Sequence, residues 1–176
     1  MFVDETKRRG YLLVASAVVP SDLDATRRML RGLVLRGLVL PGQRRLHMKD
    51  ESDPRKRSIA TAIAVSGVHA TIYDAGQRYR TEWERRQACL TSLVADAAQR
   101  GDAMLILEQD DTLIASDRKL LYRATRDAGC PDLRYEHQRA AAELLLALPD
   151  AIAWCWAKGG NWRRRIQPIV TDVREV

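Results

Sequence analysis

The sequence predicts a single α/β domain with a mixed sheet flanked by helices. Short apolar runs of strand length alternate with longer stretches of helical period, and no Pro/Gly/Ser-rich linker divides the 176 residues. Hydrophobic residues make up 46% and charged residues 30%, a balance that excludes the disordered and fibrous classes and lets one core suffice without disulfides or structural metal.

Residues 1–5 read as a short strand closed by Asp4 and Glu5, and after a turn over 6–10 the run 11–19 reads as its hairpin partner. Pro20-Ser21-Asp22 offers a helix start with Ser21 as cap, and Leu23, Leu30, Leu33 and Val34 continue at helical spacing to about Gly37. The pentapeptide Arg-Gly-Leu-Val-Leu occurs twice, at 31–35 and 36–40, too short a repeat for a solenoid unit of about 20 residues. Residues 41–57 carry loop chemistry in Pro41-Gly42 and Asp53-Pro54, leading into a helix over 55–65.

Residues 68–73 alternate like a strand, and 79–100 place Trp83, Leu90, Leu93, Val94 and Ala97 on one helical face before Gly101. The continuous apolar run 103–107 reads as a central buried strand delivering Glu108 and then Asp110 and Asp111. A helix over 116–128 ends at Gly129 and Pro131, a short strand falls near 133–136, and a helix fills 139–158, kinked or restarted at Pro149. The core is then 1–158, and 159–176 is a basic C-terminal tail.

No apolar run approaches the roughly 18 residues that span a bilayer, and Asp4 and Glu5 so soon after Met1 argue against a signal peptide; the expectation is a cytoplasmic protein without a membrane partner. Cys89, Cys130 and Cys155 lack any Cys-x-x-Cys pairing, which suggests neither a disulfide framework nor a zinc site. P-loop, dinucleotide-binding and serine-esterase motifs are absent, disfavouring those chemistries. The net charge of +6 is carried mostly by Arg, which suits bidentate phosphate contacts, although a solvated face gives the same balance.

Three acids, Asp4, Glu108 and Asp150, fall at ends of elements that can share one sheet edge: two strand ends and the first turn of a helix behind Pro149. Clustered carboxylates repel one another unless a cation intervenes, and hard oxygen donors select Mg²⁺ or Mn²⁺; a pair of such ions can promote phosphodiester hydrolysis. Each acid also has a plainer reading, as a strand end, a loop start or a favourable helix start. His47 and Lys49 can bind phosphate or serve in proton transfer if their loop folds over the acidic edge. Trp162, Arg163 and Arg164 combine an aromatic platform with guanidinium groups, the mixture used on single-stranded nucleic acid. Glu82, Glu84, His69 and His137 read as surface or structural residues, and Trp154 and Trp156 cannot share one helical face.

The opening Asp4-Glu5-Thr6, the apolar strand into Glu108 and the segment Leu148-Pro149-Asp150-Ala151-Ile152-Ala153-Trp154 resemble a ribonuclease H-like family of domains of unknown function that open with Asp-Glu-Ser. The resemblance covers residues 1 to about 158. It implies a ribonuclease H-like fold and a nuclease-type centre in which Asp4, Glu108 and Asp150 hold Mg²⁺ or Mn²⁺, with Glu5 assisting. Thr6 stands where Ser is usual, Glu108 where Asp is commoner, and Pro149 where Ala is, so Asp110 remains an alternative middle ligand. The expected function is a metal-dependent nuclease acting on DNA or RNA; the rivals are a non-catalytic nucleic-acid-binding module of the same fold and a protein-interaction scaffold.

Overall fold

The structure, a computed structural model, describes residues 1–36 and 46–176. Six strands form one mixed sheet: β1 (Phe2–Thr6), β2 (Tyr11–Ala17), β3 (His69–Gly76), β4 (Met104–Glu108), β5 (Arg134–Gln138) and β6 (Val170–Glu175), in the order β5-β4-β1-β2-β3-β6. β2 pairs antiparallel with both β1 and β3, whereas β4 pairs parallel with β1 and β5, and β6 pairs parallel with β3. The helices are α1 (Leu23–Arg36), α2 (Asp53–Ala64), α3 (Glu82–Arg100), α4 (Ile114–Asp127), α5 (Ala147–Lys158) and α6 (Gly160–Ile166). Among the described residues no helix is long and apolar enough to cross a membrane.

Strand alternation sends successive side chains to opposite faces, and here both faces are covered. Phe2, Leu12, Val14 and Ile72 pack with α1, α2 and α5 on one side. Val3, Leu13, Ala15, Tyr73, Leu105 and Leu107 pack with α3 and α4 on the other. The tight β1–β2 turn needs Gly10, at φ 128°, because a Cβ there would meet the Gly76 backbone at 3.2 Å.

Helix α3 follows the sequence expectation closely. The Thr81 hydroxyl accepts from the Glu84 amide at 3.1 Å while the Glu84 carboxylate accepts from the Thr81 amide at 2.9 Å, and Gly101 closes the helix in the left-handed region. Helix α5 is apolar around nearly its whole circumference, with Ala147, Leu148, Ala151, Ile152 and Cys155 buried beneath β1 and β2.

Several expectations are corrected. Residues 159–176 are not a tail: they form α6 and the edge strand β6, whose side chains are mostly exposed and therefore carry little apolar signal. The helix expected over 139–158 starts only at Ala147 after a 3-10 turn at Leu144–Leu146, and Pro149 sits in its first turn, where a missing amide costs no hydrogen bond. Ser21 caps nothing; its hydroxyl donates to Asp22. Gly37, Pro41-Gly42 and residues 37–40 of the repeated pentapeptide lie outside the described residues.

Candidate metal centre

Asp4 and Glu108 occupy successive positions after the last paired residues of the parallel β1–β4 ladder, Val3 and Leu107. In-register residues of a parallel pair point to the same face, so both carboxylates share the face that carries Phe2 and Ile106, against α5. Asp150 is the single acid of α5 and lies in its first turn, where the helix dipole favours a carboxylate. The middle of β1, which runs on to Thr6 rather than closing at Asp4 and Glu5, the end of β4 and one helix start thus bring the three acids to one cleft of about 750 Å³.

The electrostatics of this cleft are unfavourable for the Asp4 carboxylate. Asp4 is 9% exposed. Burial, followed by the charges of Glu108, Asp150 and Glu5, holds its carboxyl well above the usual aspartate range. Its Oδ1 accepts the Glu5 amide at 2.7 Å, which only partly offsets the penalty. Asp150 Oδ2 accepts the Met48 amide at 2.8 Å, and Asp150 Oδ1 lies 3.7 Å from His47 Nε2. Asp150 therefore docks the segment 47–50 over the cleft, which brings in Lys49 and His47; His47 Nδ1 faces Asp50 Oδ2 at 3.3 Å without hydrogen-bond geometry.

Asp110 lines the same cleft, with its Oδ1 accepting both the amide and the hydroxyl of Thr112, at 2.9 and 2.6 Å. Those two bonds hold its carboxyl below the ordinary value. Glu5 also borders the cleft, but strand alternation turns its carboxylate to the opposite face, where Arg86 Nη1 donates to it at 2.7 Å. It is not available as an assisting acid in the way the sequence suggested.

Trp162, Arg163 and Arg164 do not line the cleft. Trp162 sets its ring edge-on against Trp154 at 5.1 Å and 87°, and Trp154 does line the cleft, with Lys56 Nζ 5.0 Å from its ring centre. Arg163 covers the Trp156 ring at 4.3 Å, and Arg164 bonds Asn161. Lys7 and Arg8 contribute cleft residues that sequence reasoning missed. Their signal was the basic turn directly after the acidic end of β1. Glu82 pairs with Lys7 at 2.8 Å, Glu84 caps α3, and His137 is anchored to Asp117 at 3.0 Å. Burial pushes the Cys89 and Cys155 thiols up to about 12, which excludes a thiolate nucleophile at either position.

Among the described residues no three His, Cys, Asp or Glu side chains already close into a coordination shell. The donor set nevertheless fits a hard divalent cation: it consists of oxygen donors, and the burial and neighbouring charges that hold the Asp4 carboxyl up are a penalty such a cation would reduce. No protein-family model, curated protein or solved structure matches the chain.

Proposed function

We propose that this protein is a metal-dependent nuclease, hydrolysing phosphodiester bonds of DNA or RNA at a Mg²⁺ or Mn²⁺ centre held by Asp4, Glu108 and Asp150. The observation that carries the proposal is the convergence of these acids from β1, β4 and α5 on one cleft, with Asp4 buried against the charge of the other two. A ribonuclease H-like reading of the fold belongs to the same proposal, since the mixed sheet flanked by helices and the order of the acids along the chain support it.

When bound, the cation supplies Lewis acidity to the scissile phosphate. The chain's own residues do the rest. Lys7, Arg8 and Lys49 line the cleft and hold backbone phosphates flanking the cut, a contact that is independent of base sequence. His47 stands beside Asp150 to orient the substrate oxygen nearest that acid, and Asp110, fixed by Thr112, is the auxiliary acid behind Glu108.

The test is calorimetric titration of Mn²⁺ into the wild type and an Asp4→Asn/Asp150→Asn variant, followed by assays on end-labelled single- and double-stranded DNA and RNA. The expected result is metal binding and cleavage by the wild type and neither by the variant. Nucleic-acid binding that persists in chelator, without any product, would move the assignment to a non-catalytic binding module.

A further inference from the structure

The β1–β4 ladder ends at Val3–Leu107, one step short of Asp4 and Glu108. On the far side of each strand pairing continues: β1 stays bonded to β2 as far as Thr6–Leu12, and β4 to β5 as far as Glu108–Gln138. The acids therefore lie where the β1–β4 pairing ends, between two halves of the sheet that are each laddered further.

Arg86, projecting from α3 and only 2% exposed, spans this junction on the opposite face of the sheet. On one side its Nη1 donates to Glu5 Oε2 at 2.7 Å and to Tyr11 Oη at 3.2 Å, on β1 and β2. On the other its Nε and Nη2 donate to the Asp117 carboxylate at 2.8 and 2.7 Å, at the start of α4. Asp117 in turn meets His137 Nε2 at 3.0 Å, and His137 is the register partner of Leu107, the residue before Glu108. A planar guanidinium with a two-pronged grip on a buried carboxylate is a stiff connector, unlike a lysine ammonium, which makes a point contact.

We propose that Arg86 is the positioning residue of the metal centre: by bridging Glu5 and Asp117 it sets the spacing of Asp4 and Glu108, and thereby which cation the pair accepts. This rests on the metal-dependent reading above. Mg²⁺ and Mn²⁺ suit short oxygen contacts, Mg²⁺ near 2.0–2.1 Å, whereas Ca²⁺ takes about 2.3–2.6 Å and more ligands, so a fixed spacing discriminates between them and a loosened one does not. The inference also gives Glu5 its function: it is the β1 anchor of the bridge.

The experiment is calorimetric titration of Mg²⁺, Mn²⁺ and Ca²⁺ into the full chain as wild type, Arg86→Lys and Glu5→Met. The Arg86→Lys variant keeps the charge and loses the fork, and Glu5→Met cuts the bridge at β1 while leaving the balanced Arg86–Asp117 pair in the fold. The expected result is a loss of Mn²⁺ affinity on the order of 10- to 100-fold, with a larger loss for Mn²⁺ than for Ca²⁺. A merely structural role would lower the unfolding midpoint without moving the Mn²⁺ to Ca²⁺ affinity ratio of the folded protein. Should Arg86→Lys fail to fold, Glu5→Met is read by the same ratio. A wild-type ratio in whichever variant folds overturns this inference and leaves the nuclease reading standing, whereas a wild type that binds none of the three cations overturns both.

Discussion

Asp4 and Glu5 are neighbours in sequence with opposite electrostatic surroundings. Asp4 turns toward Glu108 and Asp150, and burial together with their charges raises its pKa. Glu5 turns toward Arg86, whose buried guanidinium also grips Asp117. Burial works against the charge of Asp117, yet the hydrogen bonds from Arg86 and His137 hold its carboxyl below the ordinary value. One face thus carries an acid, Asp4, at a cost, and the other carries acids that are satisfied. The proposed cation would act on the first face only, where the buried Asp4 carboxyl has, among the described residues, no cationic side chain against it comparable to Arg86.

The largest break in this comparison is the removal of Arg86. Arg86→Met strands the buried carboxylate of Asp117 and the half-buried one of Glu5, and the expected destabilisation is about 3–5 kcal/mol, read as a lower midpoint in urea unfolding. The pH dependence of that contribution has a definite sign. Because Asp117 has a folded-state pKa below its ordinary 3.8, the stability it provides is complete above that value and disappears as pH falls through the folded-state value. The gap between wild type and Arg86→Met is therefore expected to narrow only in strong acid. A gap that stayed constant down to pH 2 would show that the cluster contributes little through its charges.

How far this contrast could be read from the sequence depends on the range of the interactions. The strand end at Glu108 was legible because an apolar run of strand length stops there, and Asp4 was placed on the first strand, although that strand runs on to Thr6. Asp150 was legible because it interrupts an otherwise apolar helix behind a proline. The two-residue period of a strand also implies that Asp4 and Glu5 face opposite ways, so the separation of their roles was latent in the pattern. The partner of Glu5 was not legible. An arginine on an amphipathic helix ordinarily faces water, and Arg86 meets acids 81 and 31 residues away, a pairing that no local period encodes. β6 escaped notice for a related reason: an exposed edge strand such as Val170–Glu175 has no buried face to impose alternation, and it is held by backbone pairing with β3. The docking of 47–50 onto Asp150 likewise depends on one long-range bond from the Met48 amide.

A smaller effect, of opposite sign, is expected on the other face. Because the folded-state pKa of Asp4 lies above its ordinary 3.8, its contribution is fully present below that value and is lost as pH rises through the folded-state value. Asp4→Asn approximates the protonated acid. In chelator, the variant and the wild type are expected to unfold at similar urea concentrations near pH 3.5, and the variant becomes the more stable of the two as pH rises toward 8. Excess Mn²⁺ should then stabilise the wild type and leave the variant unmoved. A wild type that remains the more stable protein at pH 8 in chelator would mean that Asp4 is satisfied in the folded state and that the two faces do not differ in the way described.

The smallest expected effect comes from an ion pair at the lip of the same cleft. Asp111, in the loop after β4, meets Arg139 at 2.8 Å, but both side chains are more than 60% exposed, at 63% and 66%. Water and salt screen such a pair, and holding two mobile side chains together costs entropy, so its net contribution falls below about 1 kcal/mol. Asp111→Ser is therefore expected to shift the urea midpoint barely at all, and raising the salt concentration should erase what shift there is. Removing an acid from this loop still alters the charge met by an incoming polyanion. If the cleft binds nucleic acid, Asp111→Ser should bind a labelled oligonucleotide modestly more tightly at low salt and equally at high salt. A destabilisation comparable to that of Arg86→Met would contradict the distinction drawn here, because ion-pair strength in this protein would then not follow burial.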